Sequence, residues 1–95
     1  MCSSYWTLKE VELKCPKCKK VSIWELQTHF MGQIGSCLNY YKLKEKIFEL
    51  KGIKEAILDD ENDSFIGECP YCNEYVYFGA KIKDEAIYEI IIAKI

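Results

Sequence analysis

The sequence contains no arginine, and all thirteen of its basic residues are lysines. Arginine makes the bidentate contacts with guanine and phosphate on which many sequence-specific DNA readers depend. The lysines are outnumbered by fifteen acidic residues, so the net charge is −2 rather than strongly positive. The composition therefore argues against a general nucleic-acid-binding protein.

Long apolar runs are also missing, and no window of the sequence approaches the 18 or so apolar residues of a membrane-spanning helix. Residues 1–6 lack the charged and then apolar pattern of a secretory leader. We therefore predict a soluble, cytoplasmic protein with no membrane partner. In that reducing compartment, closely spaced cysteines are metal ligands or redox thiols more often than disulfides.

The length of 95 residues fits a single domain, and we predict one over residues 1–95. The composition, 49% hydrophobic and 29% charged, is typical of a chain that folds. Six cysteines accompany a single histidine. In so short a chain, cysteine chemistry can supply stability that a small core does not.

Short apolar patterns predict strands over most of the chain. Residues 5–13 fit a strand with a bend near Lys9 and Glu10, and residues 21–30 and 64–68 are rich in β-forming side chains. Residues 75–95 predict a β-hairpin that turns at 83–85. Residues 42–51, within an ambiguous segment over 39–58, fit both a helix and a strand, and we favour strand. The predicted fold class is mainly β, with antiparallel sheets and hairpins.

Two Cys-Pro-x-Cys motifs lie between these predicted strands, at residues 15–18 and 69–72. A two-residue gap lets one tight turn present both sulfurs to a single ion, with backbone N–H groups directed at the thiolates. Two such turns complete a tetrahedron. We therefore predict one metal site with four ligands: Cys15, Cys18, Cys69 and Cys72.

This pair of motifs resembles zinc ribbons and the related rubredoxin-like knuckles, over the ligand turns and their flanking strands. The resemblance implies a Zn²⁺ ion held by four thiolates or, as the alternative, an iron centre that carries electrons as in rubredoxins. Four thiolates leave no coordination position for water. We accordingly predict a structural metal and a protein that is not an enzyme.

The sequence departs from the zinc-ribbon pattern in the length between its knuckles, since residues 19–68 separate the two pairs. Closing a loop of about 50 residues rather than about 15 costs on the order of 1 kcal/mol, against roughly 10–16 kcal/mol for structural zinc. The long insertion is therefore compatible with one shared site. We expect it to form strands of its own.

A second departure is the residue after each knuckle, which is commonly glycine in these families. Here it is Lys19 after the first knuckle and Asn73 after the second. Asparagine tolerates the left-handed conformation, whereas lysine adopts it poorly. We therefore expect the first knuckle to differ from the rubredoxin geometry, which favours zinc over iron.

The motif Cys69-Pro70-Tyr71-Cys72 also looks like a glutaredoxin active site, which would imply thiol-disulfide exchange. In that family the reactive cysteine begins a helix whose dipole lowers its pKa. Residues 73–79 are patterned as a strand here. Thiol-disulfide oxidoreductase is therefore the second alternative, after iron electron transfer.

The remaining candidate residues are interpreted as structural. We take Cys2 as a terminal thiol, Cys37 as a small buried hydrophobe, and His29 as a solvated or hydrogen-bonded side chain. The pair Asp84-Glu85 fits ordinary turn chemistry. Four lysines near the first knuckle are expected to compensate the −2 charge of a zinc tetrathiolate: Lys14, Lys17, Lys19 and Lys20.

The sequence favours an interaction module whose partner is an unidentified protein, with nucleic acid as the less favoured partner. Residues 89–95 are apolar on both faces of a predicted strand at the end of the sequence. Such a strand needs cover from its own sheet or from another subunit. We therefore expect self-association through the C-terminal strand.

Overall fold

The structure, a computed structural model, describes residues 4–60 and 63–92. Strands make up 51% of the described residues and helix 7%, which confirms the mainly β class. Two short 3₁₀ helices, Ser36–Leu38 and Phe48–Leu50, supply the helical part, and no helix among the described residues could cross a membrane. The seven strands are β1 Trp6–Lys14, β2 Val21–Thr28, β3 Tyr40–Tyr41, β4 Glu55–Leu58, β5 Phe65–Glu68, β6 Tyr75–Lys83 and β7 Ala86–Ile92.

The strands form one curled sheet in the order β3-β1-β2-β5-β6-β4, with β7 also paired to β6. Two antiparallel hairpins, β1–β2 and β5–β6, are the main units, and they meet where β2 lies antiparallel to β5. Only β3 runs parallel to its neighbour, β1, among the described pairs. The sheet is therefore mixed rather than purely antiparallel.

Strand β6 has three neighbouring strands because two of them pair with different halves of its nine residues along one side. Its first half pairs with β5, its second half pairs with β4, and β7 occupies the opposite edge. Gly79 lies between the two halves, and a Cβ atom there would run into the carbonyl oxygen of Leu58. A glycine is thus required where β4 and β5 diverge along β6.

The core joins the two hairpins through aromatic side chains. Trp6 of β1 meets Phe65 of β5 edge-to-face at 5.5 Å, and Trp24 of β2 meets Phe78 of β6 in the same way at 5.3 Å. All four rings are almost completely buried. Alternate residues of the strands therefore face one continuous apolar layer.

The bend expected near Lys9 and Glu10 is confirmed. The register between β1 and β2 shifts between Leu8 and Val11, and Glu10 has a φ of 57°. This bulge lets Trp6 and Leu8 on one side, and Val11 on the other, all face the core. Two apolar pairs with a charged break between them are typical of such an arrangement.

Residues 42–51 form neither the favoured strand nor an α-helix. They contain turns, an isolated bridge from Lys46 to Ala86, and a 3₁₀ helix at Phe48–Leu50. The apolar residues Ile47 and Leu50 are buried against the sheet, and they produced the ambiguous periodicity. Strand structure resumes at β4, after Gly52 with its φ of 88°.

The predicted C-terminal hairpin is confirmed as β6–β7, over the described residues. Its two-residue turn consists of Asp84 and Glu85, with φ values of 51° and 68°. Residues with positive φ at both positions match the right-handed twist of the flanking strands. The carboxylate of Glu85 accepts a hydrogen bond from the N–H of Gly52 at 2.7 Å and lies 3.2 Å from Lys46 Nζ.

Candidate metal centre

The two hairpins bring both cysteine motifs to the same end of the sheet. The first motif connects β1 to β2, and the second connects β5 to β6. Because β2 and β5 are antiparallel neighbours, the start of β2 and the end of β5 lie at the same end of the sheet. The 50-residue excursion between the motifs therefore leaves and returns beside one site.

The four predicted ligands converge. Cys15 Sγ lies 3.8 Å from Cys72 Sγ, and Cys18 Sγ lies 3.6 Å from Cys69 Sγ. All four sulfurs lie within 4.8 Å of one another, and none is in a disulfide. For a metal–sulfur bond of about 2.3 Å, a tetrahedron places neighbouring sulfurs roughly 3.8 Å apart. The cluster therefore fits one tetrahedrally coordinated metal ion.

The two knuckles share the same backbone hydrogen bonds. Cys15 N–H donates to Lys20 O at 3.0 Å, and Lys19 N–H donates to Cys15 O at 2.9 Å. The equivalent bonds in the second knuckle run from Cys69 to Glu74 and from Asn73 to Cys69, at 3.0 and 2.9 Å. The first cysteine of each pair is buried and the second is half-buried. The site thus has approximate two-fold symmetry.

Both knuckles end in the left-handed conformation, with φ of 67° at Lys19 and 60° at Asn73. The expectation that the first knuckle would differ in geometry is therefore wrong. The bonds that close each turn impose this conformation, so lysine adopts it at an energetic cost of about 1–2 kcal/mol. Lysine in place of glycine at position 19 therefore leaves the backbone conformation of the first knuckle the same as that of the second.

Backbone amides point at the buried sulfurs, as predicted from the motif. Cys15 Sγ accepts from the N–H groups of Lys17 and Cys18 at 3.4 and 3.5 Å. Cys69 Sγ accepts from the N–H of Tyr71 at 3.4 Å. These donors stabilise negative charge on sulfur, which is the form that binds metal.

The thiol pKa values of the second knuckle diverge. Burial raises the pKa of Cys69, but N–H groups of Cys72 and Tyr71 and the neighbouring thiol of Cys18 stabilise its thiolate, and its pKa falls to about 6. The amide of Glu74 lowers the pKa of Cys72, but burial and the neighbouring cysteines outweigh it and raise that pKa to about 12. Neighbouring thiolates repel one another, and a cation at the centre of the cluster would offset that repulsion.

Cationic side chains surround the first knuckle, and the four lysines named above are exposed. One of them also bridges the knuckles, since Lys20 Nζ lies 4.9 Å from the centre of the Tyr71 ring. Lysines close to a cluster of thiolates favour the charged form of sulfur. Their placement agrees with charge compensation at the site.

The other candidate residues lie away from the cysteine cluster. His29 is exposed at the end of β2 opposite the knuckles, 3.4 Å from Ser4 Oγ and edge-on to Tyr5. Asp84 and Glu85 form the β6–β7 turn, as interpreted from the sequence. Neither feature contributes a ligand to the cluster.

The interpretation of Cys37 as a buried hydrophobe was wrong. Cys37 is half-buried, and it is engaged in a disulfide bond. Its spacing from the other cysteines carried no sign of this, because pairing depends on proximity in the folded chain. Cys2 lies outside the described residues.

Sequence reasoning missed a buried carboxylate at Glu49, which is 6% exposed. Its Oε2 accepts hydrogen bonds from Ser36 Oγ and Asn39 Nδ2, each at 2.7 Å, and its Oε1 accepts one from the Tyr41 hydroxyl at 2.6 Å. Burial raises the pKa of Glu49, but the three donors outweigh burial and lower it overall. The only signal in the sequence was an acidic residue between the apolar residues Ile47 and Leu50.

The fold and the site together define an all-β protein with a four-cysteine cluster suited to a metal ion. Comparison of the chain with protein-family models, with curated proteins and with solved structures found no match.

Proposed function

We propose that the protein binds one Zn²⁺ ion through Cys15, Cys18, Cys69 and Cys72, and that the ion has a structural role. The observation that carries this proposal is the pair of sulfur–sulfur distances, 3.6 and 3.8 Å, between ligands from opposite knuckles. A tetrathiolate leaves no position for water or substrate. The proposal accordingly assigns no catalytic step to the metal and no enzyme activity to the chain.

Iron is the alternative occupant, because a four-thiolate cage also holds iron in small electron carriers. The left-handed conformation at Lys19 and the amide donors on Cys15 favour this alternative more than the sequence did. Sulfur spacing alone does not distinguish the two metals, since both form similar bonds to thiolate.

Thiol-disulfide exchange is the least favoured function. Cys69 follows strand β5, and the chain continues through Asn73 into strand β6, so no helix begins at this motif. Without a helix terminus, the dipole that activates glutaredoxin-like cysteines is missing from this knuckle. Cys69 also lies 3.6 Å from Cys18 of the other knuckle, an arrangement that suits a shared ion.

For the function beyond metal binding, we propose a protein-interaction module. The outer face of the two hairpins, next to the knuckles, exposes apolar and aromatic side chains that do not contribute to the core: Val21, Ile23, Tyr75 and Tyr77. Aromatic side chains are enriched where proteins bind one another. The net charge of −2 and the lack of arginine favour a protein over a nucleic acid as the partner.

Elemental analysis tests the metal assignment on protein purified without added metal. One zinc atom per chain is expected, and it should be lost in the Cys15→Ser/Cys69→Ser variant but kept in Cys37→Ser. Iron in place of zinc, with a red and redox-active chromophore, would instead support the electron-carrier alternative. A metal-free protein that also fails to take up zinc, cobalt or iron would contradict both metal assignments.

A nucleic-acid titration at low and moderate salt tests the choice of partner. Binding that is absent, or that is weak and independent of sequence, is expected. Affinity that falls steeply with salt and is reduced in Lys17→Gln/Lys20→Gln would assign the lysines around the first knuckle to phosphate contacts and overturn the preference for a protein partner.

A further inference from the structure

Three strands lie at the outer edges of the sheet in the part of the chain that the structure describes: β3, β4 and β7. β1 is also open opposite β2 beyond Leu8, but the bulge at Glu10 and the charged Glu12 and Lys14 interrupt that edge. β3 has two residues, which is too short to pair stably with another chain. β4 has four residues, begins at Glu55 and follows the exposed Lys54, so charges guard its edge. β7 is the longest of the three, with seven residues.

The first part of the free edge of β7 is already covered by its own chain. The N–H of Lys44 donates to the carbonyl of Ile87 at 2.8 Å, and Lys46 forms a bridge with Ala86. Beyond Ile87, no strand among residues 4–60 and 63–92 pairs with this edge. Alternate backbone N–H and C=O groups of residues 88–92 are therefore available on one side of β7.

The side chains on this open segment do not protect it. Ile90 and Ile91 are half-buried and Ile92 is 60% exposed, although all three are among the strongest β-forming residues. No lysine or proline interrupts the segment. Its single charge, on Glu89, lies 3.7 Å from Lys81 Nζ of the neighbouring strand. Monomeric proteins normally guard such an edge with lysine, proline or a bulge that twists it away. The register shift at Tyr88 lies at the start of the segment, and residues 89–92 pair regularly with β6 beyond it.

We propose that the free edge of β7 pairs antiparallel with the same edge of a second copy of this chain, which makes the protein a two-fold symmetric dimer. A two-fold interface requires a surface that is complementary to itself, and an open antiparallel edge meets that requirement. An axis close to Ile91 sets Ile91 against Ile91 and Ile90 against Ile92. In that register the two Glu89 side chains do not face each other.

The dimer joins two sheets edge to edge through β7, and none of residues 88–92 belongs to the cysteine cluster. Dimerisation therefore requires no particular metal in that cluster. It satisfies backbone groups that water would otherwise solvate, and it covers Ile92, the most exposed isoleucine of the open segment.

Sedimentation equilibrium on the full-length, metal-loaded protein tests this dimer, in a reducing buffer so that intermolecular disulfides do not contribute. We expect a concentration-dependent mass that rises to twice that of one chain. Ile92→Lys should weaken dimerisation at least about tenfold, because lysine is a natural guard of edge strands. Ile57→Lys is the matched control: Ile57 is equally exposed, at 61%, but lies on β4.

Hydrogen exchange at low and high protein concentration locates the interface without a substitution. The amides among residues 90–92 that point to the free edge should exchange more slowly at high concentration, while those of β4 should not change. A chain that stays monomeric at the highest concentration, assembly beyond two chains, or protection of β4 in place of β7 would each overturn the proposal.

Discussion

Glu49 is the most deeply buried acidic side chain among the described residues, and no lysine is paired with it. Its carboxylate instead receives three neutral donors, from Ser36, Asn39 and Tyr41. These bonds connect the 3₁₀ helix at Phe48–Leu50 with the 3₁₀ helix at Ser36–Leu38, with Asn39 and with β3. Glu49 therefore organises the part of the long insertion that lacks regular structure.

The cost of removing this carboxylate follows from the fate of its donors. A hydrogen bond to a charged group contributes about 1.5–3 kcal/mol. Asn39 and Tyr41 are half-buried and can gain water, whereas the Ser36 hydroxyl stays buried. We therefore expect Glu49→Ala to lower the free energy of unfolding by about 3–4 kcal/mol, and Glu49→Gln, which keeps one acceptor oxygen, by about 1–2 kcal/mol.

The effect should depend on pH. Because the pKa of Glu49 is lower in the folded protein than in the unfolded chain, its ionisation stabilises the fold above the unfolded value of about 4.3. That stabilisation is lost as the pH falls through the folded pKa. The difference between the wild-type protein and Glu49→Gln should therefore be constant near neutral pH and shrink on acidification. The pKa of Tyr41, raised to about 12 by burial and by Glu49, keeps its hydroxyl protonated in this range.

Urea unfolding measures these differences through the fluorescence of Trp6 and Trp24, which are both buried. Acid promotes metal loss equally in the wild-type protein and in the variant. Comparing the two proteins at each pH therefore removes the contribution of metal loss. Glu45→Gln, at an exposed acidic residue of the same segment, is the control and should change stability little. A Glu49→Gln effect below about 0.5 kcal/mol, or one that persists unchanged to pH 3, would refute the assignment of Glu49 as a buried, ionised hydrogen-bond acceptor.

Three further predictions concern the knuckles and the sheet. Lys19→Gly should raise the free energy of unfolding by about 1 kcal/mol because it removes the strain of a left-handed lysine, whereas Lys17→Gly should not. Equal effects of the two substitutions in urea melts would contradict the presence of that strain. Gly79→Ala should lower the free energy of unfolding by about 2–3 kcal/mol because its Cβ meets main chain. The loss should exceed that of Gly67→Ala, where the nearest atom is a movable leucine methyl group. A smaller loss at Gly79 than at Gly67 would argue against the divergence of β4 and β5 along β6. Chelation of the metal, or Cys69→Ser, should lower the melting temperature by well over 10 °C in calorimetry, and an unchanged melting temperature would rule out a structural metal.

The knuckles were predictable because their determinants are local. Two cysteines with a two-residue gap and a proline define a turn, and the strands on either side follow from alternating apolar residues. The bend near Lys9 and Glu10 was predictable for the same reason, since a charged pair interrupts the alternation. These features need no information from distant parts of the chain.

The 50-residue insertion could not be predicted to the same depth, because its structure depends on tertiary contacts. Residues 42–51 contain apolar side chains at spacings that suit a helix and a strand, but Ile47 and Leu50 are buried by a turn and a 3₁₀ helix packed on the sheet. Glu49 is stabilised by donors 8 to 13 residues away in sequence. The sequence pattern carries periodicity but not the identity of such partners.

Lys19 shows how a correct rule can lead to a wrong expectation. Lysine does disfavour the left-handed conformation, but the knuckle closes through the bonds of Cys15 with Lys19 and Lys20, and these bonds fix the backbone. A cost of about 1–2 kcal/mol is small beside the free energy of a metal that organises the whole turn. Local propensity is therefore outweighed wherever a ligand dictates the geometry.

The position of the metal cluster explains why so small a sheet would need it. The two hairpins are each internally paired, but β2 and β5 share a single register pair, Gln27 with Ile66, within the described residues. The edge-to-face contacts of Trp6 and Trp24 with their phenylalanine partners add to this pair, as does the hydrogen bond from the Thr28 hydroxyl to the carbonyl of Ser64, just before β5. A metal bound by one knuckle of each hairpin cross-links them at the end where backbone pairing is missing. The proposed structural role of zinc thus follows from the weakest junction of the fold as well as from the chemistry of four thiolates.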